Sequence, residues 1–260
     1  MEFMVCGFGE KEEEQYLPTL ENLGVGLELQ SYGLVGSKSP EAWDYRLQRH
    51  REIRRRFPGP LAIHGPFLGI SYSFEDHLLR SAVRQRLDMT WNVVQEFRPQ
   101  TLVLHTAFQE ESIRFNYLEQ WMKDNAAFWQ DEIERYAGIG TTVVLENVME
   151  VSPEFQINLH DRIAHPNLKL CMDVGHVNLS SRIEPARWIQ AFGPRLHHVH
   201  LHDNHGDRDE HLPIGKGTIA FDPIFAALRE CTPNVTVSLE INASGPEVAE
   251  SLALVLQKYR

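Results

Sequence analysis

A closed α/β barrel of eight parallel strands, a (β/α)8 fold, is what this sequence predicts, and three observations carry the prediction. Short apolar runs alternate with longer charged, amphipathic segments from one end to the other, the pattern of consecutive βα units. Eight such units fit within 260 residues, close to the roughly 250 typical of such barrels. The fingerprint of an open dinucleotide-binding sheet is missing: no G-x-G-x-x-G joins the first strand to the first helix, and Gly7-Phe8-Gly9 is too short to count. Residues 1–260 are therefore expected to form one domain.

The expected strands are Phe3–Gly7, Gly24–Leu29, Leu61–His64, Thr101–His105, Thr142–Glu146, Leu168–Asp173, Leu196–Leu201 and Val235–Glu240. Each is followed by a segment that can be helical. Ser39-Pro40-Glu41, Ser152-Pro153-Glu154 and Asp222-Pro223 each place a cap residue before a proline, whose missing N–H costs nothing at a helix start. Glu75–Phe97 and Glu111–Tyr136 repeat apolar residues every three or four positions, Leu79, Val83, Leu87 and Trp91 being the clearest row. Such a row is a face laid on a sheet. The five tryptophans, Trp43, Trp91, Trp121, Trp129 and Trp188, are spaced as helix packing residues.

With 42% hydrophobic and 23% charged residues, the chain reads as an ordinary soluble globular protein. A formal charge of −11 opposes attraction to nucleic acid or an anionic membrane. No stretch approaches the roughly 20 apolar residues that span a bilayer. Cys6, Cys171 and Cys231 are odd in number and widely spaced, with no C-x-x-C and no N-terminal signal sequence, which fits a reducing cytoplasm. The oligomeric state is left open.

Chemistry concentrates in His197–Gly217, HHVHLHDNHGDRDEHLPIGKG, which holds six of the thirteen histidines. His198, His200 and His202 alternate along a strand and so share a face. Imidazole and carboxylate at a strand end suit zinc, manganese and similar ions. The other strands finish alike: His64, His105, Glu146, Asp173 with His176 three residues on, His200 and Glu240 end the third to eighth. In a parallel barrel all these ends lie on one face, so residues far apart in sequence converge.

The phrases LEN at 145–147, DVGH at 173–176, HLHDN at 200–204 and D-x-H-x-x-I-G-x-G at 209–217 resemble the xylose-isomerase-like TIM barrel superfamily over nearly the whole chain. That superfamily includes sugar isomerases and epimerases, inosose-processing enzymes and the endonuclease IV group of apurinic endonucleases. The resemblance implies a common metal site at Glu146, Asp173, His200 and Glu240. It also places the further ligands of a three-zinc cluster on His64, His105, His176, Asp209 and His211, so one to three divalent ions, zinc or manganese, are expected.

Two enzymatic readings follow. In the first, a metal-dependent isomerase or epimerase of a sugar, sugar phosphate or inosose-like substrate works through a metal-stabilised enediolate. By resemblance to the ketohexose epimerases, catalysis would fall to Glu146 and Glu240 on opposite faces of the substrate, with His176 on a substrate oxygen. Lys216 or Arg208 would meet a distal phosphate, and His202 would join the substrate site. In the second, an endonuclease IV-like phosphodiesterase uses three zinc ions. The loops depart from that nuclease: GPF follows His64, TAF follows His105, VME follows Asn147, and His202 stands where the nuclease has an asparagine. The expected partner is accordingly a small carbohydrate, and nucleic acid is disfavoured. A non-catalytic metal-binding barrel is a third reading.

Several features have plainer readings. The run Arg49, Arg51, Arg54, Arg55 and Arg56 is read as a solvated helix face, and Ile214-Gly215-Lys216-Gly217 as a tight turn before a phosphate cradle. His50, His77, His160 and His165 are expected at the surface. Phe67, Tyr72 or Phe108 is expected to cover a sugar face.

Overall fold

A computed structural model describes residues 1–8, 10–35, 39–73, 76–108 and 115–259. Eight parallel strands close into a barrel in chain order, β1 (Glu2–Gly7), β2 (Gly26–Leu29), β3 (Leu61–His64), β4 (Thr101–His105), β5 (Thr142–Glu146), β6 (Leu168–Asp173), β7 (Leu196–Leu201) and β8 (Thr236–Leu239). Closure is by β1 on β8, with Met4 opposite Ser238 and Val5 opposite Leu239. The second strand starts later than expected because Gly24 turns the chain at φ +62°. Glu240 lies one residue past β8.

Alternation along the strands separates two interiors. Outward residues such as Phe3, Val5, Leu27, Ile63, Leu102, Leu104, Val143 and Leu145 join the helices in the large apolar core. Inside the barrel the side of β4 to β6 is apolar, with Val103, Val144 and Cys171 packed together. The side of β1, β2, β7 and β8 is polar: Cys6, Glu28, His198 and Ser238 are all fully buried. Trp121, Trp129 and Trp188 are buried beneath helices and Trp43 nearly so, as their spacing predicts.

The main helices lie where amphipathic segments were read. They include α1 (Glu10–Leu23), α2 (Tyr32–Val35), α3 (Pro40–Arg56), α4 (His77–Phe97) and α5 (Leu118–Ala137). After these come α6 (Pro153–Ile163), α7 (Val174–Ser180), α8 (Pro185–Phe192), α9 (Phe221–Cys231) and α10 (Gly245–Tyr259). Ser39 caps α3 by accepting from Ala42 N, while Ser152 occupies the cap position of α6 without a side-chain bond. The cap expected from Asp222 is corrected: α9 starts at Phe221 after Ala220, and Asp222 in its first turn instead accepts from Lys258 at 3.0 Å. Gly9, Glu75 at the start of the expected helical segment Glu75–Phe97, and residues 111–114 at the start of the expected segment Glu111–Tyr136 lie outside the described residues. No helix among the described residues is long and apolar enough to cross a membrane.

Candidate metal centre

The strand ends converge as the barrel geometry requires. Glu146 lies at the middle: its Oε2 is 3.1 Å from His64 Nε2 and 3.6 Å from His105 Nε2, and its Oε1 is 3.1 Å from His200 Nδ1. His200 Nδ1 also faces Glu240 Oε2 at 3.0 Å and Asp173 Oδ2 at 3.9 Å. On the far side His176 Nε2 and His211 Nε2 approach Asp209 Oδ2 at 3.3 and 3.0 Å. All nine expected ligands thus form three adjoining groups, the first two sharing Glu146: His64, His105 and Glu146; Glu146, Asp173, His200 and Glu240; His176, Asp209 and His211.

Local structure explains the motifs. Asp173 caps α7, its Oδ1 accepting from His176 N at 2.6 Å, which fixes His176 over the site. Asn147 binds the neighbouring strand twice, donating to Asp173 O at 3.2 Å and accepting from Asp173 N at 2.9 Å. His211 adopts φ +49°, an uncommon conformation for its type. It is held there by Nδ1–H donating to Glu240 O at 2.8 Å, by Asn242 N on its carbonyl, and by stacking on His202 at 4.1 Å.

The donor set fits a divalent cation. Neutral imidazole donates from one nitrogen only, and here that donation is already taken: His64 Nδ1–H goes to Gly65 O, His176 Nδ1–H to Asn147 O and His200 Nε2–H to Glu28 Oε1. Their other nitrogens face carboxylate oxygens, a contact that a shared metal ion reconciles, as a second proton on each ring also would. Asp173 Oδ2 and Glu240 Oε2 are buried yet accept no hydrogen bond among the described residues. Burial opposes charge on His200, but Glu28 and Glu146 prevail and hold its pKa well above the usual value. Burial likewise opposes, and His200 outweighs, so Glu146 is held well below the ordinary carboxylate range. His105, farther from Glu146, is pushed down to about 3 by burial.

Above these ligands lies a cavity of about 240 Å³. Five of its lining residues, Phe8, Gln30, Ser31, Arg46 and Phe67, lie outside the ligand set. Phe67 stacks on His105 at 5.0 Å and Phe8 meets His211 edge-on at 5.9 Å. Of the three aromatics expected to face a sugar, only Phe67 lines this cavity; Tyr72 packs on Phe128 and Trp129, and Phe108 on Trp121 and Phe155.

Other expected site residues lie elsewhere. His202 is fully buried, Nε2 at 3.2 Å from Asp173 Oδ1, so it supports a ligand and does not line the cavity. Arg208 and Lys216 are exposed and outside the lining. The glycine-rich turn cradles an anion, but that anion is Asp203: its buried carboxylate accepts from Gly215 N at 3.0 Å, Gly217 N at 2.8 Å, Ile219 N at 3.1 Å and Asn204 N at 2.9 Å. A β-carbon on Gly217 would lie 2.4 Å from Asp203 Oδ1. The arginine run is engaged, Arg49 with Glu14 and Glu52, Arg51 with Glu96 and Arg54 with the carbonyls of Phe57 and Gly59.

His50 is corrected: it is fully buried between Tyr32 Oη at 2.6 Å and Glu13 Oε2 at 2.7 Å. His77 is exposed, and His160 and His165 are half-buried beside Asp161 and Glu134.

The sequence model of the xylose isomerase-like TIM barrel family matches residues 30–259. The chain belongs to that family. Its curated relatives include MJ1311 of Methanocaldococcus jannaschii, an uncharacterized protein 27% identical over 198 residues, covering 73% of this chain and 67% of that one. A second uncharacterized protein of the same organism, MJ1614, is 46% identical over 55 residues, about a fifth of either chain (21%). Among solved structures, the TTHB071 protein from Thermus thermophilus, soaked with ZnCl2, superposes with a TM-score of 0.79 at 26% identity over the whole of both chains. A D-tagatose 3-epimerase-like protein gives 0.77 at 24% over 100% of this chain and 97% of that one. A Methylomonas D-allulose 3-epimerase in complex with D-allulose also gives 0.77, at 14% over the same shares, and at such identity the likeness shows the fold.

Proposed function

We propose that this protein is a metal-dependent isomerase or epimerase of a sugar, sugar phosphate or inosose-like substrate. The observation that carries the reading is the placement of Glu146 and Glu240, which reach His200 Nδ1 at 3.1 and 3.0 Å and both line a cavity of about 240 Å³. Pockets for drug-sized ligands run from about 300 to 1,000 Å³, so this one suits a single small polyol. The sugar epimerases among the similar folds support the same class.

The site's own residues divide the work. Glu146, Asp173, His200 and Glu240 would hold the ion, zinc or manganese, which supplies polarisation of a carbonyl and its neighbouring hydroxyl. One glutamate takes the proton from the adjacent carbon and the other returns a proton to the opposite face, so the substrate is rearranged with no net loss of atoms. His176 orients a substrate oxygen, and Phe67 and Phe8 keep water from the reacting carbon. Arg46 is the one permanently cationic residue among the described lining residues, where an anionic end would rest.

A second reading, a phosphodiesterase resembling endonuclease IV, is favoured by the two flanking trios, His64–His105–Glu146 and His176–Asp209–His211. Elemental analysis, solvent-deuterium exchange into ketoses and inososes, and a nicking assay on abasic duplex separate the two. Deuterium exchange without nicking is expected. Three tightly held zinc ions with metal-dependent nicking would replace the isomerase reading with the second.

A further inference from the structure

Beneath the ligand set, on the polar side of the barrel interior, Glu28 of β2 stands between two histidines of β7. Its Oε1 accepts from His200 Nε2–H at 2.9 Å and its Oε2 from His198 Nε2–H at 2.8 Å. Gln30 Nε2 adds a third donor to Oε1 at 3.3 Å and also reaches Cys6 Sγ at 3.4 Å. Glu28, His198 and His200 are all fully buried. A carboxylate in a barrel interior is costly to desolvate, and an apolar residue of similar size commonly stabilises a core as well or better. A packing role alone therefore gives no reason for an acid at this position.

We infer that Glu28 is a positioning residue for the metal centre: by holding His200 Nε2–H it commits the Nδ1 lone pair to the space shared with Glu146, Asp173 and Glu240. This rests on the metal-dependent reading above. With Oε1 on His200 and Oε2 on His198, the carboxylate is fixed from both sides and His200 cannot turn over without leaving its Nε2–H unpaired in the interior. An anionic acceptor behind a ligating imidazole also makes the imidazole a stronger donor to its ion. His198, which holds the second oxygen, has no partner at its own Nδ1 among the described residues and ends the chain of bonds.

The full-length protein, labelled with ¹⁵N-histidine and loaded with ¹¹³Cd, provides the first test. The ring signal identified by its loss in His200→Gln should couple to cadmium through Nδ1 while Nε2 stays protonated. Glu28→Gln, which keeps the volume but can no longer accept at both atoms, should weaken binding of the central ion by about tenfold to a hundredfold in chelator competition. Glu28→Asp, which keeps the charge, should recover part of that loss. Circular dichroism and melting of the ion-free variants report folding separately. Coupling through Nε2, or undiminished affinity in a folded Glu28→Gln variant, overturns the role of Glu28 and leaves the metal reading intact. If Glu28→Gln fails to fold, the wild-type spectrum alone decides. A wild-type chain that binds no ion would overturn both.

Discussion

Gly175 and His202 are packed so closely that a β-carbon on the glycine would lie 1.9 Å from the imidazole Cε1. The ring cannot retreat, because it is buried, bonded to Asp173 at 3.2 Å and stacked on His211. Gly175→Ala is therefore expected to destabilise the protein by about 1–3 kcal/mol, the usual range for overpacking. It should also weaken metal uptake, since His202 steadies the Asp173 carboxylate. Urea unfolding and a metal titration check this, and wild-type values in both would mean that His202 has room to move.

Removal of metal should lower the melting temperature. A ligand that binds only the native state stabilises it by about 2.7 kcal/mol at a hundredfold excess over Kd, and nine converging side chains have no such arrangement in the unfolded chain. Glu146→Gln should abolish activity more completely than His211→Ala, because Glu146 touches His64, His105 and His200 and also carries a proposed proton step. Chelation followed by thermal melting, and turnover of the two variants, test these statements. The reverse ranking would move the chemistry to Asp209 and His211.

The residues that could be read from the sequence are those whose position is fixed by the end of a strand. His64, His105, Glu146 and Asp173 close four observed strands and His200 stands one residue before the end of a fifth, and barrel closure alone brings them together. Glu28 escaped notice because it is a single acid inside the short strand Gly-Leu-Glu-Leu, with its partners 170 and 172 residues away. A charge in the middle of a strand buried on both faces was nevertheless a usable signal. His50 was misread because α3 is rich in charge, yet Trp43, His50 and Ile53 form its buried row. Arg46, on the same helix, enters the cavity through the packing of that helix over Ser31, whose carbonyl it reaches at 3.0 Å, and no local pattern encodes that. The glycine-rich turn showed that an anion was to be cradled, but not that Asp203 would be the anion.

Acid should destabilise the fold through His197. Burial, with His198 and Lys169 nearby, pushes its pKa down to about 4 from an unfolded value near 6.5. Above about pH 6.5 it is neutral in both states and contributes nothing. Between about 6.5 and 4 the unfolded chain binds the extra proton, so stability falls with pH, and below about 4 the full penalty is reached. Allowing for partial exposure, about 2 kcal/mol is expected. His197→Gln should flatten this part of the pH–stability curve, measured by urea unfolding from pH 7 to 4. An unchanged curve would assign the acid sensitivity to other groups.

Arg46 should discriminate between charged and uncharged substrates. It lines the cavity together with the ligand residues, whereas Arg208 and Lys216 are exposed outside it. A hydrogen bond to a charged group is worth about 1.5–3 kcal/mol, so losing the guanidinium should weaken an anionic ligand by roughly tenfold to 150-fold and leave a neutral one nearly unaffected. Glycolohydroxamate and phosphoglycolohydroxamate share the same metal-chelating end and differ in the phosphate, so their affinity ratio isolates the distal contact. In the wild-type, metal-loaded protein the phosphorylated compound should bind more tightly, and Arg46→Met should erase most of that advantage while sparing the affinity of glycolohydroxamate. A ratio unchanged by the substitution would place the anionic end away from Arg46. Arg208 and Lys216 would then be the residues to replace next, since their loop carries Asp209 and His211 beside the same cavity.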